Sequence, residues 1–239
     1  MTLISRPKQK FAEVLSFART EVILLAALAL IAGSTLAFIE IADDMREDDG
    51  LAFDWAVLRL THPDEADAAN PVGPFWLDHA SADFSALGSV TILLALVVAA
   101  CGYLVLRRRA LEAFLLVLAA GGALAISQAL KTFFGRDRPP EMYRAAEVLN
   151  QSFPSGHAML SAVVYLTLGA MLARAEARWR IRVYIMALAI LVALMVGVTR
   201  IHLGVHWASD VLAGWCAGAA WATACWLLDR WLRRRAGEA

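Results

Sequence analysis

The sequence carries no net charge and has no basic arm: its 239 residues contain 22 Lys and Arg and 22 Asp and Glu. The charge balance itself says nothing about nucleic acid, but no basic arm suggests such a partner, and we expect none. Cysteine is also scarce. Its three copies, Cys101, Cys216 and Cys225, fall inside apolar runs and lack metal-ligand spacing. We expect them to pack as small hydrophobic side chains.

Apolar residues, in contrast, are abundant: they make up 60% of the chain and give a mean hydropathy of +0.59. This share exceeds that of soluble domains and indicates a single membrane domain over residues 1–239. Six segments are about long enough to cross a bilayer as helices. They are, approximately, residues 21–41, 87–106, 111–130, 157–173, 183–198 and 211–228. Because a backbone in lipid must satisfy its own hydrogen bonds, and the runs are too uniformly apolar for barrel strands, we predict an all-α bundle of six transmembrane helices.

Basic residues mark one side of this predicted bundle. They cluster at residues 6–19 before the first span, 107–109 between the second and third, 174–182 between the fourth and fifth, and 230–235 after the sixth. An even number of spans puts all four clusters on one side, which the positive-inside rule makes cytoplasmic together with both termini. The first span is too long for a signal-peptide core, so we expect a retained signal anchor.

The loop between the first two spans, at about residues 42–86, is acidic and is expected on the outer side. Its acidic residues include Asp43, Asp44, Glu47, Asp48, Asp49, Asp64, Glu65 and Asp67. Residues 51–60, which include Asp54, form either an interfacial helix or part of a solvated loop. Phe75 and Trp76 follow a Pro-Val-Gly-Pro turn and could anchor the loop at the interface.

Three polar clusters interrupt the apolar pattern, and the span count places all of them at outer helix ends. They are Lys131–Pro140, Ser152–His157 and Thr199–Asp210. Each alone has an ordinary explanation, such as a snorkelling cation or a helix cap. Their convergence on one face favours a functional site, because charge near a membrane interior is costly. A lipid transporter or binding protein is the alternative class, but its pathway would need polar residues at membrane depth.

In the first cluster, Lys131 and Arg138 are seven residues apart, which puts both cations on one helical face if the helix persists. Arg forms a planar fork and Lys a compact charge, and both suit a phosphoryl group. Pro139 and Pro140 are expected to end the helix. Arg136 and Asp137 are expected to pair with each other or to face water.

In the second cluster, Ser155 and Gly156 open the fourth span after Pro154. The unpaired N–H groups and the hydroxyl at this helix start form an anion site. His157 can face a bound phosphate there and protonate a departing oxygen. The alternative is that Ser155 is an ordinary N-cap and His157 an interfacial side chain.

In the third cluster, His206 and Asp210 are four residues apart. On a helix entering the sixth span, the carboxylate can hold one ring nitrogen and leave the other free to attack. Arg200 lies six residues before His206, on the other side of Gly204, and can add a cation to the same pocket. Trp207 is expected to be an interfacial anchor. His202 is expected to pack in the core or at its rim.

These residues resemble the type 2 phosphatidic acid phosphatase (PAP2) superfamily, whose signature is K-x6-RP, PSGH and SR-x5-H-x3-D. Lys131–Pro139 matches the first part and Pro154–His157 the second. Arg200, His206 and Asp210 match the third at the same spacings. Thr199 stands where the family usually has serine, and His202 stands where tyrosine is common; Thr199 keeps the hydroxyl.

The resemblance implies a site near the outer leaflet, no cofactor, no metal, and a covalent phosphohistidine intermediate. His206 would be the nucleophile, Asp210 its orienting carboxylate and His157 the general acid. The phosphate-binding groups would be Lys131, Arg138, Ser155, Gly156 and Arg200. With one histidine neutral and the other protonated, we expect a bell-shaped pH profile.

The implied protein is a lipid phosphatase of the bacterial inner membrane, with its active site on the periplasmic side. Undecaprenyl pyrophosphate is the leading substrate by analogy with the family; phosphatidylglycerol phosphate and phosphatidic acid are the alternatives. A lipid phosphotransferase would share the first half-reaction. The expected partners are the bilayer and its lipid phosphates, and the sequence leaves the oligomeric state open.

Overall fold

The structure is a computed structural model that describes residues 5–46, 48–64, 68, 70–145 and 150–236. Within them the chain is helical, with one short 3₁₀ turn at Glu141–Tyr143 and no strand. The α-helices are α1 (Ser5–Asp44), α2 (Asp48–Thr61), α3 (Phe75–Ala86), α4 (Val90–Leu106), α5 (Ala110–Phe134), α6 (Gly156–Ala175), α7 (Trp179–His202) and α8 (Ala208–Arg235). The predicted all-α fold is confirmed.

Five of these helices are long and apolar enough to cross a membrane in the described part of the chain. They are residues 21–44 of α1, and α5, α6, α7 and α8. A sixth span results if α3 and α4, which meet at a bend of 46°, are counted as one. Each predicted span therefore coincides with a helix, and the second span begins with the bend rather than with a straight helix.

Helix α6 lies at the centre of the bundle and packs against α4, α5, α7 and α8. Close packing against α8 depends on small residues. A Cβ atom on Gly218 would lie 2.9 Å from both the Met159 carbonyl oxygen and the Ala162 side chain. Met159 and Val163 are fully buried at this contact. Tight contact of α6 and α8 fixes the positions of the chain segments that precede them.

From α4 to α8, successive helices run in opposite directions, so the clusters of polar residues collect at two ends. We call the end formed by the last turns of α5 and α7 and the first turns of α6 and α8 the site end. The opposite end, formed by the start of α5, the ends of α4, α6 and α8 and the start of α7, is the far end. The three polar clusters of the sequence lie at the site end, and the basic clusters at the ends of α4, α6 and α8 lie at the far end.

The expected end of the helix that carries Lys131 needs correction. Helix α5 ends at Phe134, before the prolines, because Gly135 adopts a left-handed conformation (φ +59°) and its N–H bonds to the Lys131 carbonyl at 3.0 Å. Arg138 is therefore in a loop and not on the helix of Lys131.

The acidic loop contains α2 and α3, so of the two alternatives for residues 51–60 the structure shows a helix. Helix α2 carries Asp54 into the interior. Phe75 and Trp76 lie exposed at the start of α3, where an interfacial anchor would be, and that role stays a prediction. Glu47, Glu65 and Asp67 lie outside the described residues.

Candidate active site

His206 is held from one side by a carboxylate. Its Nδ1 lies 3.2 Å from Asp210 Oδ2, and its side chain is 2% exposed. The same Asp210 oxygen accepts hydrogen bonds from the Ser152 hydroxyl and, at 3.0 Å, from the Trp207 N–H. An ionised Asp210 therefore selects the tautomer with hydrogen on Nδ1 and leaves the lone pair on Nε2.

The loop that carries His206 differs from the sequence expectation. His206 precedes α8, and the left-handed Gly204 (φ +62°) turns the chain between α7 and this residue. A Cβ atom on Gly204 would collide with the Tyr143 carbonyl, so only glycine fits. The four-residue spacing still brings His206 to Asp210, because the Asp210 side chain reaches back over the first turn of α8.

The free edge of His206 faces a cation: Nε2 lies 3.2 Å from an Arg138 guanidinium nitrogen. Burial, followed by the charges of Arg138, Arg200 and Lys131, holds the pKa of His206 well below its ordinary value of 6.5. The imidazole is therefore neutral near pH 7, which is the form that can act as a nucleophile.

Lys131, Arg138 and Arg200 surround this edge without any carboxylate partner within ion-pair distance in the described part of the chain. Lys131 Nζ donates to the carbonyls of Gln151 and Ser152. Arg200 donates to Ser85 Oγ at 2.6 Å, and its buried Nε has no hydrogen-bond partner among the described residues. Such a cluster of cations with neutral acceptors is suited to bind an anion.

Arg138 is held by oxygens of the neighbouring loops. It donates to the carbonyls of Val205 at 2.5 Å and Asn150 at 2.7 Å, and to the Asn150 side-chain oxygen at 2.6 Å. Burial lowers its pKa from 12.5 to about 10, so it remains protonated at neutral pH. These neutral contacts fix the orientation of the guanidinium but leave its charge uncompensated.

The start of α6 lies beside the same cations. Ser155 is the N-cap and accepts from the Ala158 N–H at 3.5 Å. A Cβ atom on Gly156 would lie 3.7 Å from the Lys131 side chain. His157 follows and is half-buried. Its ring is close enough to His206 and the three cations to interact with them electrostatically. The sequence-predicted site residues thus lie together at the site end.

Arg136 and Asp54 were not predicted as part of this region. The expectation that Arg136 pairs with Asp137 or faces water is wrong. Its guanidinium donates instead to Asp210 Oδ1 and to Asp54 Oδ2, each at 2.6 Å. Asp54 also accepts from the N–H and the hydroxyl of Ser209, at 2.9 and 2.5 Å. No local sequence signal links Asp54 to Arg136, because 82 residues separate them.

Trp207 is not an interfacial anchor. It is buried, its ring lies 5.2 Å from that of Trp55, and its indole N–H donates to the Asp137 carbonyl at 3.0 Å. His202 pairs with Asp78 of α3 at 3.0 Å. The Thr199 hydroxyl donates to the Val196 carbonyl of its own helix at 2.8 Å.

The geometry supplies the elements of phosphoryl transfer. A neutral imidazole with a fixed tautomer faces a cationic pocket, and a second imidazole and a helix N-terminus lie beside it. No group of three or more His, Cys, Asp or Glu side chains that could hold a metal occurs among the described residues.

Comparison with known proteins matches the PAP2 superfamily model to residues 111–234. Phosphatidylglycerophosphatase B of Bacillus subtilis (strain 168) is 32% identical over 146 residues, which cover 60% of this chain and 70% of that protein. An undecaprenyl-diphosphatase of Sulfolobus acidocaldarius is 37% identical over 68 residues, which cover 28% of this chain and 29% of that protein.

Two solved structures share the fold. A transmembrane PAP2-type phosphatidylglycerolphosphate phosphatase from Bacillus subtilis superposes with a TM-score of 0.79 at 24% identity, over 86% of this chain and 98% of the other. Aquifex aeolicus LpxE superposes with a TM-score of 0.56 at 23% identity, over 72% and 94%.

Proposed function

Because this chain belongs to the PAP2 superfamily of phosphatases, we propose that it removes a terminal phosphate from a membrane lipid through a phosphohistidine intermediate. The observation that carries the proposal is the pairing of His206 on its two edges. One ring nitrogen is held by Asp210 at 3.2 Å, and the other faces the uncompensated Arg138 at 3.2 Å. A phosphate bound by Arg138 would therefore lie next to the nucleophilic nitrogen.

In the first half-reaction, His206 Nε2 attacks phosphorus in line and a new N–P bond forms as the bond to the leaving oxygen breaks. His157 donates a proton to that oxygen, which leaves as the dephosphorylated lipid or lipid monophosphate. Asp210 stabilises the positive charge that develops on the phosphorylated imidazole.

In the second half-reaction, water attacks the phosphohistidine. His157, now neutral, takes a proton from the water, and the N–P bond breaks to release inorganic phosphate and restore neutral His206. Throughout, the phosphoryl oxygens are bound by the side chains of Lys131, Arg138 and Arg200, the Ser155 hydroxyl and the Gly156 N–H. This charge stabilisation is the main catalytic contribution in phosphoryl transfer.

The site belongs on the periplasmic side of a bacterial inner membrane in this proposal. The basic clusters lie at the far end, which the positive-inside rule assigns to the cytoplasm. The lipid tail would stay in the bilayer while its phosphate reaches the helix ends. Phosphatidylglycerol phosphate is the first candidate, because the relative matched over 70% of its length is a phosphatidylglycerophosphatase. Undecaprenyl pyrophosphate and phosphatidic acid follow.

The test is release of inorganic phosphate by the purified protein in detergent with EDTA, with the three lipids offered in parallel. We expect release to survive EDTA, because Lys and Arg side chains bind the phosphate, and to fall at least about 10³-fold in His206→Ala. His79→Ala, a substitution of an exposed histidine on α3, is the matched control and should be fully active.

Acid-labile, base-stable labelling of the wild type by a ³²P-lipid, absent from His206→Ala, would identify the phosphohistidine. Near-normal turnover by His206→Ala would overturn the assignment of the nucleophile. No release from any of the three lipids would overturn the hydrolase proposal for these substrates.

A further inference from the structure

We propose that Asp54, from the segment between the first two spans, is a positioning residue of this active site that acts through Arg136 on Asp210. The inference rests on the proposed function, since it takes His206 as the nucleophile. It assigns a role to α2, which lies outside the residues matched by the family model.

Asp54 is buried deeply, with 1% of its surface exposed, although it belongs to a loop between spans. An ionised carboxylate in such a place is stable only when hydrogen-bond donors surround it. Its donors are an Arg136 guanidinium nitrogen at 2.6 Å and the N–H and hydroxyl of Ser209. Both residues adjoin proposed catalytic groups, because Ser209 precedes Asp210 and Arg136 is two residues from Arg138. The contacts of Asp54 are thus directed at the site.

Arg136 connects the two carboxylates through the two arms of its guanidinium. One terminal nitrogen donates to Asp54 at 2.6 Å, and the other donates to Asp210 at 2.6 Å and to Ser209 Oγ at 2.8 Å. The guanidinium is planar and rigid, so fixing one arm fixes the direction of the other. Asp54 therefore orients the arm that holds Asp210 Oδ1, and Asp210 in turn places its Oδ2 against His206.

Charge gives Asp54 a second effect on the same residues. Arg136 alone would neutralise Asp210 and weaken the support of this carboxylate for the positive imidazole that forms when His206 attacks. With Asp54 present, the chain from Asp54 through Arg136 to Asp210 carries one net negative charge, which favours the charged intermediate. The phosphate-binding cations are not part of this chain of contacts.

The test compares Asp54→Asn with the wild type in steady-state phosphate release from the preferred lipid. We expect kcat to fall about 10- to 100-fold, as for other residues that orient a catalytic group indirectly, while KM changes less than about 3-fold. Asp78→Asn is the matched control: Asp78 also lies between the first two spans and pairs with a residue at the end of α7, but its partner is His202. It should retain wild-type kcat and KM.

A double-variant cycle separates a relay from a general loss of structure. Arg136→Gln should lower kcat at least as much as Asp54→Asn, and adding Asp54→Asn to Arg136→Gln should cost less than about 2-fold more, because Asp54 acts through the lost guanidinium. Melting temperatures of all variants in detergent identify any that fail to fold. Asp54→Glu, which keeps the charge, should retain more of the wild-type kcat than Asp54→Asn.

The possible failures are distinguishable. If the wild type releases phosphate and His206→Ala does not, the proposed function holds whatever Asp54 does. Wild-type kcat in a folded Asp54→Asn protein, a rise in KM alone, or additive losses in the double variant would each overturn the relay. If the wild type releases no phosphate, the proposed function itself fails, and the relay fails with it.

Discussion

The two ends of the helix bundle differ in the partners of their cations. At the far end, Arg109 and Arg233 both bond to the buried Glu112, each at 2.6 Å, and Arg174 pairs with Asp229. At the site end, Lys131, Arg138 and Arg200 contact carbonyl, amide and hydroxyl oxygens. Arg109, Arg174 and Arg233 at the far end have carboxylate counter-charges, as Arg136 has at the site end. The three proposed phosphate-binding cations, in contrast, are oriented by neutral oxygens and have no carboxylate within ion-pair distance among the described residues.

This difference in partners indicates that the far-end ion pairs serve the fold, whereas the site-end cations serve phosphate binding. The ion pairs at the far end neutralise each other's charges and join the start of α5 and the end of α6 to the end of α8. Lys131, Arg138 and Arg200 at the site end destabilise the free protein, because they repel one another and are removed from water. Such destabilising groups are typical of functional sites, where a bound ligand offsets the cost. A lipid phosphate would supply the missing counter-charge.

The largest expected effect comes from removing one site-end cation. Arg138→Gln should lower kcat/KM about 10²- to 10³-fold, because it deletes a donor to the phosphoryl group. The melting temperature in detergent should change by less than about 3 °C, since lost hydrogen bonds and relieved charge repulsion oppose each other.

The control for this variant is Arg138→Lys, which keeps the charge but not the planar fork and should lie between the wild type and Arg138→Gln in kcat/KM. A large loss of thermal stability with near-normal kcat/KM would instead mean that the site-end cations act like those of the far end.

Much of this contrast could be predicted from the sequence, because the site end depends on local motifs. Apolar run lengths gave the spans, and the four-residue spacing of His206 and Asp210 indicated their contact. Helix ends were less predictable: the glycine at position 135, not the prolines that follow, ends α5. Arg136 shows the limit of local reasoning, since its neighbour Asp137 was a plausible partner by sequence.

The actual partners of Arg136 are brought by tertiary structure from α2 and α8. Trp207 has a similar explanation: its aromatic ring suggested the membrane interface, but packing against α2 buries it. A single sequence carries no signal for contacts that depend on how a loop folds back over the bundle.

A smaller effect is expected in the pH dependence of catalysis. His206 must be neutral to attack, and its pKa is lowered, so the acid limb of kcat/KM should lie well below pH 6.5. Arg138 is the charge that contributes most to this lowering after burial. Removing it in Arg138→Gln raises the pKa of His206 and should move the acid limb to higher pH.

The measurement is kcat/KM between pH 4 and 9 for the wild type, Arg138→Gln and Arg138→Lys. Arg138→Lys keeps a positive charge, so its acid limb should stay close to that of the wild type. A wild-type acid limb at or above pH 6.5, or a shift of the Arg138→Gln limb to lower pH, would contradict the electrostatic account of the site end.

The smallest effect on activity is expected at the far end. Glu112→Gln removes the negative charge that Arg109 and Arg233 share, at a side chain that is 4% exposed. The loss should lower the free energy of unfolding by about 1–2 kcal/mol, since both arginines are partly exposed and can bind water instead. For a chain of this size that corresponds to a fall of about 2–6 °C in melting temperature. The value of kcat/KM should stay within about 2-fold of the wild type, because the substitution touches no site-end contact.

Glu40→Gln, which alters an exposed carboxylate on α1, is the control for Glu112→Gln and should change neither quantity. A large loss of activity in Glu112→Gln at unchanged melting temperature would show that the far end is coupled to catalysis. The ion pairs there would then need a role in transmitting helix movements along α5 and α8 to Lys131 and Asp210, and the separation of folding from function between the two ends would be wrong.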